Sequence, residues 1–440
     1  MKTYFDNQIK IPATNQPRLV IIGGGFGGIK LAFGLKKKGF QVVLFDRNNY
    51  HTFQPLLYQV ATAGLEPDSV AGPLRKQLEP DPDFFFRMAE VRRIDTKNKT
   101  IDTGIGELPY NYLVLALGSQ TNYYGISSII ENSFPIKQVT HALDFRHHLL
   151  QNFEAAVNKE NPEGLEKYLN IVIAGGGPTG VEIAGALGEL KKSVLPKDYP
   201  EMDFSGMKII LVEGMDRLLG AMRKKSSERA RKYLEKFGVK IRLNTLVSSF
   251  DGNYVGLSNG EYIVSRSLLW ASGVKGNIIE GLPHKSIENN RIRVDEYNRV
   301  LGTKEVYAIG DIALMKTPDY PKGHPMVAPV AIQQARLLSR NLHKMQKENH
   351  LQNFRYTNKG VMATIGRNKA VVDLPGKISL GGVPAWTIWM FVHLISIYGL
   401  RNKLVVFINW AYNYFTYDKG TRLIIRRFTP KFVKEEKNKH

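Results

Sequence analysis

Residues 171–182 read IVIAGGGPTGVE, and residues 19–28 read LVIIGGGFGG. The same glycine-rich phrase is thus written twice, about 150 residues apart. In the first copy, RLVIIG (18–23) is an apolar, β-branched run that predicts a buried strand. Gly23, Gly25 and Gly28 follow at G-x-G-x-x-G spacing, IKLAFGLKKKG predicts a helix closed by Gly39, and FQVVLFD predicts a second strand ending on Asp46. The second copy repeats the order. NIVIAG is a strand, Gly175, Gly177 and Gly180 keep the spacing, VEIAGALGELKKSV is a helix, and MKIILVE is a strand ending on Glu213. The longer gap from Gly180 to Glu213 predicts an insertion around LPKDYPEMDFSG.

Each part has a physical task. The glycines allow a sharp turn and close approach to a pyrophosphate, the helix N-terminus presents free N–H groups, and the terminal acid accepts hydrogen bonds from ribose hydroxyls. One such fingerprint is weak, because tight turns in any α/β sheet use glycine. Two, each with strand, helix and acid in place, are specific. An echo supports duplication: YLVLALGS (112–119) follows the first unit and SLLWASGV (267–274) the second, both reading as strands that break at a glycine, Gly118 and Gly273. The expectation is an α/β protein with two Rossmann-like domains holding two dinucleotides, one resident and one exchanging, for electron transfer between them. Glu213 would repel a 2′-phosphate, which favours NADH over NADPH.

Composition narrows the field. The chain has 440 residues, 43% of them apolar, enough for two or three cored domains. It has no cysteine, which excludes disulfide scaffolds, thiolate metal sites and any redox thiol. The ten histidines show no ligand spacing, so no metal is expected. Residues 1–16 lack an apolar h-region and read as a tail rather than a secretory signal. A formal net charge of +21 favours an anionic partner: nucleotides, membrane headgroups or nucleic acid.

With these residues in view, the chain resembles the two-dinucleotide-binding flavoproteins, and among them the type II, non-proton-pumping NADH:quinone oxidoreductases. The resemblance runs over roughly residues 17–430 and includes DRNNYHTFQPLLYQVATAGL, VYAIGDIA, VAPVAIQQA and GVMATIGRNKAVVD. It implies FAD on the first fingerprint, with Gly23, Gly25, Gly27, Gly28, Asp46, Arg47, Gly118, Gly310, Asp311 and Ala328 as its contacts. Asp311, in VYAIGD, would meet the ribitol chain. It implies NADH on the second fingerprint, with Gly175, Gly177, Gly180, Glu182, Glu213 and Gly273. VAPVAIQQA (327–335) is similar to the family's quinone-site motif, so Gln333 and Gln334 would offer amides to a quinone and to the flavin edge. They could equally be surface residues of a helix opened by Pro329, and a helix N-terminus aimed at the flavin pyrimidine would favour the reduced cofactor. The family often has Gln where this chain has Pro329. The resemblance also places Glu182 near the nicotinamide and the quinone route, as proton handler or NADH positioner; read alone, it is an acid stabilising its helix end. Disulfide reductases and sulfide:quinone oxidoreductases share this architecture but need thiolates the chain lacks.

The carboxy-terminal region completes the expectation. AWTIWMFVHLISIYGL (385–400) is apolar almost all round, yet too short for the ~30 Å hydrocarbon core. RNKLVVFINWAYNYF (401–415) puts Asn402, Asn409 and Asn413 on one helical face and Leu404, Phe407, Ile408, Ala411 and Phe415 on the other. With Trp and Tyr suited to an interfacial layer and a basic tail beyond, this reads as an amphipathic membrane anchor for anionic lipids. A core helix pair or a homodimer contact is the competing reading. The expected partition is a tail (1–16), FAD-binding segments (17–122 and 291–383), an NADH-binding domain (123–290) and a membrane-associated region (384–440). The expected activity is transfer of two electrons from NADH to menaquinone or ubiquinone on the cytoplasmic face of the membrane. The alternatives are a soluble NADH:acceptor flavin reductase, or a basic flavoprotein that binds nucleic acid; no nucleic-acid motif supports the latter.

Overall fold

The computed structural model describes residues 9–78, 81–159, 164–347, 350–416, 420–425 and 428. In chain order, the strands that carry the architecture are β1 (Arg18–Ile22), β2 (Gln41–Asp46), β3 (Phe84–Met88), β4 (Tyr112–Leu115), β5 (Phe134–Pro135), β6 (Ile171–Ala174) and β7 (Ile209–Val212). They continue with β8 (Val239–Arg242), β9 (Ser267–Trp270), β10 (Val306–Ala308), β11 (Val361–Gly366), β12 (Lys369–Asp373) and β13 (Ser379–Gly381). The helices are α1 (Phe26–Leu35), α2 (Leu57–Ala61), α3 (Val139–Val157), α4 (Pro178–Ser193), α5 (Ala328–Met345), α6 (Val383–Ser396) and α7 (Leu400–Thr416).

The chain forms two compact units. The first takes the described residues up to His51, Gly72–Gln120 and Val274–Asn358. Its main sheet has the order β10-β4-β1-β2-β3, all parallel. Both faces are buried: Val20, Ile22, Val43 and Phe45 enter one core, and Leu19, Ile21, Val42 and Leu44 the other. This is why the strands read as unbroken apolar runs rather than alternating ones. Helix α1 packs on α5, with Gly34 so close that a Cβ would stand 2.5 Å from the Ser339 hydroxyl. The expected tail begins to pack earlier than its polar composition suggests. Residues 1–8 lie outside the described residues, but Ile9 is buried in the first core and its N–H reaches the Glu107 carbonyl.

The second unit takes Thr52–Ala71, Thr121–Gly273 and the described residues from Lys359 on. Its parallel sheet has the order β5-β9-β6-β7-β8, the same arrangement of fingerprint strand, acid-bearing strand and echo strand. A separate antiparallel sheet, β11-β12-β13, packs against α4. Gly185 makes that contact: a Cβ there would fall 2.3 Å from the Ile365 carbonyl. The insertion after α4 includes a short helix, Leu195–Asp198. No helix among the described residues is long and apolar enough to cross a membrane.

Candidate active site

In the first unit the backbone alone builds a cradle. Gly23 has φ +108°, and a Cβ on it would collide with the Ala116 carbonyl at 2.3 Å. A Cβ on Gly28 would fall 1.8 Å from the Gly23 carbonyl, so only glycine lets α1 start directly from the turn. Gly27 is buried and faces Ile309, with little room to spare. Gly25, the N-cap of α1, has nothing within 4 Å of its missing Cβ, which leaves the helix N-terminus facing open space. The Gly24 N–H donates to Asp46 Oδ2 (2.7 Å), and the Asn48 N–H donates to Oδ1 (2.7 Å). Burial raises the Asp46 carboxyl above its ordinary value, against those N–H donors and nearby Arg47, which lower it. Arg47 itself is exposed.

The remaining first-unit positions gather on two further turns. Gly118 (φ +64°) is open above its Cα, and Asn277 donates to the carbonyls of Leu117 (2.8 Å) and Gly118 (3.2 Å). Asp311 Oδ2 accepts the Ser119 hydroxyl at 2.5 Å, and the Gly310 N–H donates to Gln334 Oε1 at 2.7 Å. Gln334 is fully buried, yet its Nε2 has no partner among the described residues. Gln333 behaves differently. Its amide pairs with both backbone groups of Thr357, at 3.0 and 2.9 Å, so in this structure it clamps a loop. Ala328 opens α5, whose N-cap, Val327, makes no side-chain bond to it. An open helix N-terminus, a carboxylate at the strand end and a buried amide with a donor to spare fit a bound dinucleotide flavin.

The second unit reproduces the cradle closely. Gly175 has φ +107° and would collide with the Ala271 carbonyl at 2.7 Å; Gly180 would collide with the Gly175 carbonyl at 1.9 Å; Gly177 is open. The Gly176 N–H donates to Glu213 Oε2 at 2.5 Å, and the Met215 N–H donates to Oε1 at 2.8 Å. Gly273 (φ +81°) closes the echo strand beneath the Tyr124 hydroxyl.

Glu182 lies two residues beyond Gly180, on the inward face of α4, and is only 8% exposed. It lines a pocket of about 130 Å³ with Tyr58, Thr364, Trp389 and Trp410 among its walls. Burial pushes its carboxyl up to about 8; a long 3.5 Å bond from the Thr364 N–H and the Trp389 indole N–H, turned toward it without completing a hydrogen bond, only partly oppose this. Glu182 is therefore mostly protonated at neutral pH, not a charged helix-end acid. Burial, with Glu182 nearby, also raises Tyr58, whose hydroxyl accepts from Gln59 at 2.7 Å. Residue-type reading missed Tyr58, Thr364 and Arg367, which lines the same pocket. Tyr58 and Thr364 fall inside the motifs QPLLYQVATAGL and GVMATIGRNKAVVD, and that was the available signal.

The terminal helices turn their polarity inside out. Asn402 donates to the carbonyls of Asp68 and Ala71, Asn409 to Glu66 (2.7 Å), and Asn413 to Gly64 (3.2 Å), so the asparagine face of α7 is the protein-facing one. Leu404, Phe407, Ile408 and Phe415 are exposed, Phe415 at 81%. On α6, Val383, Phe391 and Ile395 are exposed as well. One expectation needs correction. Trp389 and Trp410 are not interfacial anchors: Trp389 is 2% exposed, and the Trp410 indole donates to Gln59 at 2.8 Å. The Trp410 indole takes an inward polar partner, and the Trp389 indole is buried facing Glu182. The basic run from residue 431 lies outside the described residues.

The sequence model of the pyridine nucleotide-disulphide oxidoreductases matches residues 17–335, which defines the class, and that of the NDH2 C-terminal domain matches residues 358–417. The chain is 33% identical to a type II NADH:quinone oxidoreductase of Mycobacterium tuberculosis over 427 residues, covering 92% of this chain and 89% of that one. It is 28% identical to the Haemophilus influenzae type II NADH:quinone oxidoreductase, over 82% and 87% of the two chains. The solved structure of NDH2 from Plasmodium falciparum in complex with NADH has the same fold, at TM-score 0.85, with 21% identity and coverage of 94% and 100%. This chain belongs to the type II NADH:quinone oxidoreductase family. It is a membrane-associated FAD enzyme that carries electrons from NADH to a quinone.

Proposed function

We propose that the first cradle holds FAD, that the second holds NADH with Glu213 reading its ribose, and that the pocket beside Glu182 takes the quinone headgroup. Bound FAD supplies the two-electron relay between the two substrates. The glycines of each cradle bring backbone N–H groups to a pyrophosphate. The spare Gln334 Nε2 donates to the flavin edge, and Asp311 meets the ribitol chain. Gln333 supports this site by holding the Thr357 loop.

The observation that carries the reading is Glu182. It is a buried carboxyl, pushed by burial up to about 8, on the helix of the second cradle, walled by tryptophans of helices whose outer faces are apolar. Reduction of a quinone to a quinol consumes two protons, and NADH brings one hydrogen with its electron pair. A carboxyl titrating near 8 is suited to deliver the other. We place the exposed apolar faces of α6 and α7 in the lipid surface on the cytoplasmic side, where NADH is available, with Arg401 and Lys403 toward anionic headgroups.

The experiment is anaerobic. NADH bleaches the flavin, a short-chain quinone is then added, and reoxidation is followed. Glu182→Gln should slow reoxidation about tenfold and leave reduction by NADH within about twofold. The wild-type quinone step should fall as pH rises through about 8, and the variant's should not. Impaired reduction with normal reoxidation would move Glu182 to the NADH side.

A further inference from the structure

The turn between β11 and β12 joins three elements of the second unit. The Arg367 backbone N–H donates to Glu189 Oε1 on α4, seven residues after Glu182 and so on the same helical face. From the same residue, the guanidinium reaches α7: one Nη donates to the Asn413 carbonyl at 2.5 Å, and the group lies over the Tyr414 ring, 4.9 Å from its centroid. Asn413 is in the last turn of α7, whose final carbonyls have no partner within the helix. A cation there satisfies one of them and complements the helix dipole, and the stack over Tyr414 adds a cation–π contact. Tyr414 in turn packs on Trp386 of α6, with ring centroids 5.5 Å apart. The bracket also dictates its own backbone: Gly366 has φ +125°, and a Cβ there would press on the Glu189 carboxylate at 2.7 Å.

We infer that Arg367 is a positioning residue for the quinone half-reaction. It caps α7 from outside and ties the Tyr414–Trp386 wall to α4, so the pocket keeps its width while α6 and α7 ride in a fluid lipid surface. The inference rests on the pocket being the quinone site. Nothing about Arg367 requires it to touch a reacting atom. Without the bracket the terminal turn of α7 loses its cap, the aromatic wall loosens, and a quinone is held less well before any chemistry begins.

The test is a split of kinetic constants. Arg367→Ala should raise the KM for a short-chain quinone about tenfold with kcat changed less than about threefold, while flavin reduction by NADH and vesicle binding stay at wild-type values. Arg367→Lys, which keeps the charge but not the planar fork, should fall between. Tyr414→Leu, which leaves the Asn413 bond in place, should also raise the quinone KM, and the double variant should fall short of the product of the two single effects, because the cation–π contact is common to both. If Arg367→Ala does not fold, Arg367→Lys and Tyr414→Leu carry the test. Unchanged quinone KM in these variants, with Glu182→Gln still slow toward quinone, overturns the bracket alone. Unchanged quinone kinetics in all of them, Glu182→Gln included, overturns the pocket reading and the bracket with it. Additive effects in the double variant also overturn the proposal.

Discussion

The two fingerprints of this chain are the same object up to one residue and different beyond it. Gly23 and Gly175 share φ within a degree, and Gly28 and Gly180 press on the carbonyls of Gly23 and Gly175 at 1.8 and 1.9 Å. Asp46 and Glu213 each accept the N–H of the middle glycine. Two residues past the third glycine, the helices part company. Lys30 in the first unit is half-buried, whereas Glu182 is buried and held largely protonated. Backbone sterics leave the cradle almost no freedom, so duplication preserves it. The first side chain inside the helix is under no such constraint, and there the second unit acquires a proton-bearing group. The comparison also changes the meaning of the two acids. Their strand-end position suits a ribose ligand, and each also pins its own glycine turn.

The largest effect should come from the same substitution made in each cradle. Gly28→Ala should yield protein that does not retain FAD and is colourless. Gly180→Ala should remain yellow while its flavin reduction by NADH drops at least about a hundredfold. Absorbance at purification and stopped-flow reduction decide it, and the reverse pattern would exchange the nucleotide assignments of the two units.

A second test concerns what the second unit alone carries, the inverted helix α7. Deleting from residue 385 would remove buried Ala385 and Trp389 with the anchor, so charges on the exposed face are cleaner. Phe407→Asp, Ile408→Asp and Phe415→Asp together should cut co-sedimentation with anionic vesicles more than about tenfold, with NADH-driven flavin reduction unchanged. High salt should release the unaltered protein only partly, since apolar contact is not screened. Complete release by salt would break the inverted-helix account.

A smaller effect is expected at Glu213. Glu213→Gln removes the charge and one strong acceptor, so kcat/KM for NADH relative to NADPH should fall about tenfold. An unchanged ratio would leave this acid as a turn-holding group only, which would sharpen its likeness to Asp46.

A further effect is on stability. Glu182 rises from 4.5 to about 8 on folding, so the folded protein keeps a proton that the unfolded chain releases above about pH 4.5. Stability from this group is full below about pH 4.5 and is lost as pH rises through about 8, with a limiting slope of about 1.4 kcal/mol per pH unit. Gln does not titrate. The Tm of Glu182→Gln minus that of the unaltered protein should therefore grow more positive from about pH 5 to about pH 8. A pH-independent difference would place Glu182 in a more polar setting than its burial indicates.

What could be read from the residues follows from how local the physics is. A glycine that must adopt positive φ, an apolar run buried on both faces and an acid at a strand end are settled within some thirty residues, so both cradles and the shared sheet order were legible. The amphipathic pattern of 401–415 was legible too, as periodicity, but periodicity does not say which face turns inward. That depended on carbonyls at Gly64, Asp68 and Ala71, more than 300 positions away in the chain. The same holds for Trp389, which composition assigned to a lipid interface and packing assigned to Glu182. Gln333 and Gln334 are neighbours of one type, yet one clamps Thr357 and the other faces Gly310, because successive helical residues point about 100° apart.

By itself the sequence determined two nucleotide cradles, the exclusion of thiol chemistry and an apolar face too short to cross a bilayer. Each is a matter of backbone sterics, composition or helix length. Only the tertiary structure decided that residues 52–71 and 359–381 join the second unit and that α7 turns its asparagines inward. It also decided that the Glu182 carboxyl is pushed up to about 8. A pKa depends on the dielectric and the donors that surround a group: burial raises Glu182, and Thr364 and Trp389, which meet it only once the chain has folded, partly oppose that rise.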